Sequence, residues 1–310
     1  IGGVMEHVEE AGVHSGDSAC VLPPPTLAAD VVAELSDYTV RLATELAVIG
    51  PINVQYAVRD GHDVFVIEAN PRASRTIPFV AKATGRPLAK VASRVMAGAT
   101  LEELRTEGLL PEATPPGFWA VKEAVLPFNR FPSTDALLGP EMRSTGEVMG
   151  IDVTPGLAFI KSQLGAGGDL PPPAGSAVFL SLADRDKPGA VEVAAGLIDQ
   201  GYRLMATAGT AAALTEAGLE VDRVIDRIGQ GTESAVDLIE AGEVAMVINT
   251  PRGRGPRADG AYIRMAAEQQ SVPLLTTLAA ARATVRGMAD LAAGSMEVRA
   301  LQAVHGRSGS

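Results

Sequence analysis

A chain of 310 residues has room for two domains, each able to bury its own core. Its net charge of −11 argues against nucleic-acid or anionic-membrane binding, and 46% hydrophobic beside 20% charged residues fits a soluble α/β protein. The single cysteine, Cys20, excludes an intramolecular disulfide and fits a reducing cytoplasm, and no apolar run reaches the ~18 residues of a membrane span.

In chain order, Ile1-Gly2-Gly3 runs straight into structured-looking sequence without an initiator methionine, so the chain reads as a piece of a longer one. Residues 12–20, Gly-Val-His-Ser-Gly-Asp-Ser-Ala-Cys, form a polar loop whose glycines and hydroxyls let backbone amides approach a ligand. His14 and Asp17 serve equally well there as turn formers. Residues 28–48 carry Val31, Val32, Leu35, Tyr38, Leu42 and Leu46 at helical spacing, an amphipathic helix that Gly50-Pro51 ends.

Two β-type runs, 53–58 and 63–70, flank Arg59-Asp60-Gly61-His62, a hairpin signal. Side chains alternate along a strand, so Glu68 and Asn70 share a face. A loop of even length brings Gln55 to that face, roughly 5–8 Å from Glu68, whereas a three-residue loop flips the parity. Carboxylate and amide oxygens so placed are hard ligands suited to magnesium, with waters and phosphates completing its shell. Arg72, just beyond, suits a bidentate grip on a phosphate. A solvated hairpin face is the plainer alternative. Against it stands the apolar company of Glu68, Val64-Phe65-Val66-Ile67, which predicts a buried strand whose carboxylate needs a partner charge or a metal.

Residues 87–97 read as a helix and 119–128 as a buried strand carrying Lys122 and Glu123, while 129–165 read as loop and short-helix sequence. Residues 165–175, rich in glycine and proline, mark a linker. Beyond it, strand-like runs at 177–182, 203–207, 223–228, 244–249 and 273–278 alternate with helix-like runs at 189–200, 210–217, 233–241, 258–270 and 279–293. Five βα units imply a parallel sheet covered by helices on both faces, with ligands at the carboxyl ends of its strands. There, Thr207-Ala208-Gly209-Thr210 forms an anion cradle at a helix start, with Lys187 and Arg227 adding positive charge. Threonines that merely cap a helix are the alternative. Arg252, Arg254 and Arg257 read as part of a solvated glycine-rich loop.

The 12–19 loop, Asn53-Val54-Gln55, Glu68-Ala69-Asn70-Pro71-Arg72 and the run from Leu138 to Gly146 together resemble the large-subunit family of glutamine-hydrolysing carbamoyl phosphate synthetases, over nearly the whole chain. Glu-x-Asn-Pro-Arg alone is shared by many ATP-grasp ligases; the 12–19 loop together with the 138–146 run is more specific. The resemblance implies the C-terminal part of that subunit. Residues 1–110 are then the end of its second ATP-grasp unit, a mixed or antiparallel sheet with helices, and 111–170 the remainder of that unit and connection. A linker follows at 171–175, then a Rossmann-like parallel α/β methylglyoxal-synthase-like allosteric domain at 176–305 and a tail at 306–310.

It further implies that Gln55, Glu68 and Asn70 hold two Mg2+ or Mn2+ ions bridging ATP phosphates. Gly12, Val13, His14 and Ser15, with Gln55 and Glu68, line the nucleotide, and Arg72 stands near the phosphoryl group passed to carbamate. Glu9, Asp17, Glu123 and Thr276 match an ornithine site; Lys187, Thr207, Thr210, Arg227 and Asn249 match a site for nucleotide effectors such as UMP or IMP. Arg227 stands where the family often has lysine, and Pro251 where it can have a hydroxyl residue. The expected partners are the N-terminal remainder of the subunit and a glutaminase small subunit. The family's phosphate loop is expected to precede residue 1, leaving the isolated chain inactive; a stand-alone nucleotide and ornithine module without catalysis is the alternative.

Overall fold

The computed structural model describes residues 1–110, 117–131, 134–171, 175–226, 233–251 and 258–306. Arg227, the three arginines at 252, 254 and 257, the centre of the 171–175 linker and residues 307–310 lie outside the described residues.

The first half runs β1 (Glu6–His7), β2 (Cys20–Leu22), α1 (Ala29–Glu45), the hairpin β3 (Asn53–Arg59) and β4 (Asp63–Asn70), α2 (Thr76–Thr84), α3 (Leu88–Met96), α4 (Leu101–Thr106), β5 (Trp119–Val125), β6 (Gly146–Asp152) and α5 (Pro155–Gly165). Strands β1, β2, β5 and β6 form one antiparallel sheet in that order. β5 is buried on both faces, as its apolar run predicts. Ala120 packs with Leu22, Phe79, Val80 and Ala83, so α2 covers one face. Val121 packs with Ala158, Phe159 and Ile160, so α5 covers the other.

Helix α1 matches the predicted amphipathic segment, with Asp30 in its first turn favoured by the helix dipole and Val31 and Leu35 buried. The reading of 129–165 as loop and short helix is corrected: β6 and α5 lie within it. Glycines at the start and near the middle of the 146–152 run hide its strand character. Gly150 is required because a Cβ there would meet the Ala158 carbonyl at 2.1 Å, where α5 lies against β6. Thr154 caps α5 by accepting from the Leu157 amide at 3.1 Å, with Pro155 in the first turn.

The second half contains β7 (Ala177–Ser181), α6 (Lys187–Asp199), β8 (Arg203–Thr207), α7 (Ala208–Glu216), β9 (Arg223–Ile225), α8 (Ala235–Glu240), β10 (Met246–Asn249), α9 (Ala258–Gln269), β11 (Leu274–Leu275), α10 (Leu278–Ala293) and α11 (Leu301–Val304). The five strands are parallel in the order β11-β10-β7-β8-β9. Alternation along them feeds two layers. Val178, Leu180, Leu204, Ala206, Met246 and Ile248 join one core with residues of α6, α7 and α10; Ala177, Phe179, Met205 and Val247 join the other with residues of α8 and α9.

The first of these cores continues into the antiparallel sheet. Helix α10 crosses α5 at Gly287 and Gly156, where a Cβ on Gly287 would lie 2.6 Å from the Gly156 carbonyl and 2.5 Å from Ile160. The two sheets are therefore packed through a backbone-to-backbone crossing that only glycine permits.

Candidate functional site

The hairpin register decides whether Gln55 and Glu68 meet. Arg59 pairs with Asp63, so the loop holds three residues, the length that flips the parity. A bulge restores it: Tyr56 pairs with Val66 and Gln55 with Glu68, leaving Ile67 as the extra residue. Gln55 and Glu68 end up directly opposite, with Asn53 opposite Asn70 on the same side. Asn70 Nδ2 donates to Glu68 Oε1 at 2.9 Å. Arg72 is exposed and donates to the Ala73 carbonyl at 3.1 Å. The expected burial of β4 is corrected: Phe65, Val66 and Ile67 are 46, 50 and 48% exposed and Glu68 is exposed too. The hairpin stands as its own two-stranded sheet, touched by α1 through the Thr39–Tyr56 hydroxyl contact at 2.8 Å, and Phe65, Val66 and Ile67 of β4 stay exposed.

A cleft of about 1390 Å³ opens beside this hairpin, lined by residues 1–7, Glu9, Ala11 and Ser15 and by residues of α1, β3 and α3, with Gln55 among them; of the predicted loop residues Ser15 reaches it, and Gly12, Val13 and His14 do not line it. The 12–18 loop contributes Ser15 to it. Gly12 has φ +101°, a conformation reserved for glycine. His14 Nδ1 accepts from the Gly16 amide at 2.9 Å, and the His14 amide donates to Gly139 O at 2.9 Å, which ties the loop to the 138–146 run. Val13 and Ser15 fall between these anchors.

Behind the loop lies a buried charged cluster. Lys122, fully buried, donates from Nζ to the carbonyls of Ser15 and Gly16, each at 3.2 Å. Glu9 accepts from the Ala19 amide at 2.6 Å, and Glu123 from Gln163 Nε2 at 2.5 Å. Burial, and after it the neighbouring Glu123 carboxylate, pushes Glu9 up to about 8; burial pushes Glu123 up to about 7. Burial, aided by Lys122, pushes His7 down to about 4. Asp17 is committed elsewhere: its two oxygens accept from the amides of Arg143 and Ser144 at 2.7 and 2.9 Å. Thr276 precedes the α10 cap Thr277, whose hydroxyl donates to the Val8 carbonyl at 3.4 Å, beside Glu9.

A second site lies at the carboxyl edge of the parallel sheet. Strand order reverses between β7 and β10, the switch point where such sheets open a crevice. Thr210, buried, accepts from the Leu182 amide at 3.0 Å and from Thr207 Oγ1 at 3.2 Å. Asn249 Nδ2 donates to Ser181 O at 3.2 Å. Lys187 pairs with Asp184 at 2.5 Å and stands over the first turn of α7, since a Cβ on Gly209 would lie 3.1 Å from its Nζ. Lysine, hydroxyls and a helix N-terminus meeting at one edge are suited to an anion. Sequence reading missed Arg264 here, bonded to Asn249 at 2.6 Å; Thr250, at a strand end the sequence marks, accepts from the Ala183 amide at 2.9 Å. Thr250 was legible as a hydroxyl at a strand end. Arg264 lies mid-helix with no local signal.

The family profile described as the carbamoyl-phosphate synthase L chain ATP-binding domain matches residues 3–104, and the MGS-like domain profile matches 189–276. The chain thus joins part of an ATP-grasp domain to a methylglyoxal-synthase-like domain, as its resemblance predicts. Carbamoyl phosphate synthase large chains match it closely: that of Synechocystis sp. is 50% identical over 97% of this chain, that of Mycobacterium tuberculosis 51% over 98%, and that of Pasteurella multocida 52% over 99%. A solved biotin carboxylase domain of a single-chain bacterial carboxylase covers 34% of this chain and 25% of its own length at 28% identity, with a TM-score of 0.31. Over nearly its whole length the chain is thus similar to carbamoyl phosphate synthase large chains. It spans 27, 29 and 28% of those three relatives.

Proposed function

We propose that this chain provides one wall of an ATP site at which carbamate is phosphorylated to carbamoyl phosphate, joined to an allosteric domain that reads a nucleotide at its strand ends. The observation that carries the catalytic part is the register of the hairpin, with Gln55 directly opposite Glu68 and Asn70 bonded to Glu68. The donor set fits a hard divalent cation: one carboxylate and amide oxygens on one face supply part of an oxygen shell, and phosphates and waters take the rest. Two Mg2+ or Mn2+ ions held by Gln55, Glu68 and Asn70 would neutralise charge on the phosphoryl oxygens. Arg72 would approach the transferred group, and Gly12, Val13, His14 and Ser15 would present backbone to the nucleotide.

The wall is one-sided. Among the described residues no group of three or more His, Cys, Asp and Glu is placed to hold a metal, and Glu68 is exposed. We therefore propose that the chain by itself turns over no carbamate, and that catalysis needs the rest of a large chain with a glutaminase subunit supplying ammonia for arginine and pyrimidine synthesis in the cytoplasm. Among the described residues no helix is long and apolar enough to cross a membrane.

The regulatory part rests on the convergence of Lys187, Thr207, Thr210 and Asn249 at the switch point. A nucleoside monophosphate such as UMP or IMP is the proposed ligand. Glu9 and Glu123, lying together by Lys122, are the proposed seat of a dibasic amino acid such as ornithine, with Thr276 alongside; Asp17 would shape that seat through its loop. Calorimetry of the chain with UMP, ornithine and Mg-ATP tests the assignment. Saturable UMP and ornithine binding supports it, and a chain that binds neither refutes the regulatory half. The burial of Thr210 and Asn249 at the strand-end site, beside the exposed hairpin, favours one second reading, a pure effector-binding module; measurable turnover by the isolated chain would exclude it.

A further inference from the structure

Asn249 is engaged on both sides. Its Nδ2 holds Ser181 O, and its Oδ1 accepts from Arg264 Nη1 at 2.6 Å. Arg264 is 3% exposed and turns the rest of its guanidinium to Asp135, with Nε on Oδ1 and Nη2 on Oδ2, both at 2.6 Å. Such a two-pronged, buried fork fixes distance and orientation together.

Asp135 lies 129 residues away in sequence, in the segment that leads to the 12–18 loop. Its carbonyl accepts from Arg143 Nη1 at 3.0 Å, and the backbone amides of Arg143 and Ser144 hold Asp17 of that loop. Ser144 Oγ also accepts from Arg75 Nη1 at 2.9 Å, three residues beyond Arg72. A series of hydrogen bonds, linked through Asp135 and Arg143, thus runs from the strand-end site to the loop whose Ser15 reaches the cleft beside the hairpin.

A ligand donor that competes with Arg264 for Asn249 Oδ1 displaces that bond. Losing the bond to Arg264 strips a buried cation of one partner, a cost that a shift of the guanidinium toward or away from Asp135 relieves. A ligand shifts an equilibrium only through a difference in its contacts with the two states, and the Asn249–Arg264 bond is that difference.

We propose that Arg264 is a positioning residue that transmits occupancy of the strand-end site, through Asp135, to the Asp17 anchor of the 12–18 loop. This rests on the reading of Lys187, Thr207, Thr210 and Asn249 as a nucleotide site. Arg264 touches neither the hairpin wall nor Arg72, so it acts on ligand coupling and not on the reacting groups.

The test uses the 310-residue chain with UMP as the probe, with binding measured by calorimetry and amide hydrogen exchange read at Arg143 and Ser144. In the wild type, saturating UMP changes exchange at these amides by about fivefold or more, the lower end of ordinary coupling. Arg264→Lys keeps the charge but cannot bridge Asn249 and Asp135 with a fork, and Asp135→Asn removes the charge that holds it. Both are expected to bind UMP and to transmit nothing. UMP binding with unchanged exchange in the wild type, or with the wild-type change preserved in both variants, overturns the coupling while leaving the nucleotide site standing. No UMP binding to the wild type overturns the nucleotide site and the coupling together. Should Arg264→Lys fail to fold, Asp135→Asn, near-isosteric with the native residue, decides the question.

Discussion

Lys122→Met tests what holds the 12–18 loop in place. The ammonium makes two bonds at 3.2 Å, to the carbonyls of Ser15 and Gly16, in full burial beside Glu9 and Glu123. Bonds to a charged group contribute about 1.5–3 kcal/mol each, and the desolvation relieved by removing a buried cation offsets part of that sum. Methionine fills most of the volume. Because Glu9 and Glu123, with values of about 8 and 7, are already protonated at pH 6, no buried carboxylate loses its counter-charge there, and the net loss falls near the low end, about 3 kcal/mol at pH 6. With a urea slope of about 3 kcal/mol/M, the midpoint falls by about 1 M. At pH 9, above the values of about 8 and 7, both carboxylates are charged in the native protein, so the variant loses more. Urea titrations of both proteins at the two pH values measure this. A variant as stable as the wild type at both, or one whose deficit shrinks at pH 9, would refute the reasoning.

The same carboxyls set a wild-type pH profile. Their native values lie above the ordinary carboxylate value of ~4.3, so the stability they contribute is complete below that pH and is lost as pH rises through about 7 and 8. Melting temperature should fall between pH 5 and 9, by less in Glu9→Gln; a rise across that window would contradict the burial of these groups. Gly287→Ala should destabilise by about 1–3 kcal/mol despite alanine's better helix propensity, because its methyl group meets Gly156 and Ile160 inside 3 Å. A thermal melt of the variant at or above that of the wild type would show that α5 and α10 can separate without cost. Cys20 is fully buried and burial pushes its thiol up to about 12, so a thiol reagent should label it only after unfolding. Rapid labelling of the native chain would mean that the Lys122 region opens.

The βα half was legible because each element announces itself: five apolar runs of strand length alternate with helical periods, and short turns join them. β11 was the exception, with only Leu274–Leu275 laddered before Leu278 starts α10, because Thr277 caps that helix inside the predicted strand. The antiparallel half was harder to read. β6 carries glycines at 146 and 150 whose purpose is the approach of α5, and that approach is tertiary. The hairpin shows both limits of local reasoning. A three-residue loop alone would have separated Gln55 from Glu68, and the compensating bulge at Ile67 carries no turn residue to signal it. Burial of β4 was inferred from its apolar letters, but burial depends on what packs against a strand. Asp17 reads as a ligand candidate from its loop, yet its carboxylate is held by two amides 126 and 127 residues away. The Arg264–Asp135 fork is equally non-local.

The central claim is that this chain carries a working wall of a carbamate-phosphorylating site. The direct measurement is carbamoyl phosphate formation by a Synechocystis large chain in which this 310-residue segment replaces its 50%-identical counterpart, assayed with and without Glu68→Gln. The account expects the chimera to form carbamoyl phosphate and Glu68→Gln to abolish it while UMP binding persists. Synthesis undiminished by Glu68→Gln, or a folded, UMP-binding chimera that makes none, would contradict it.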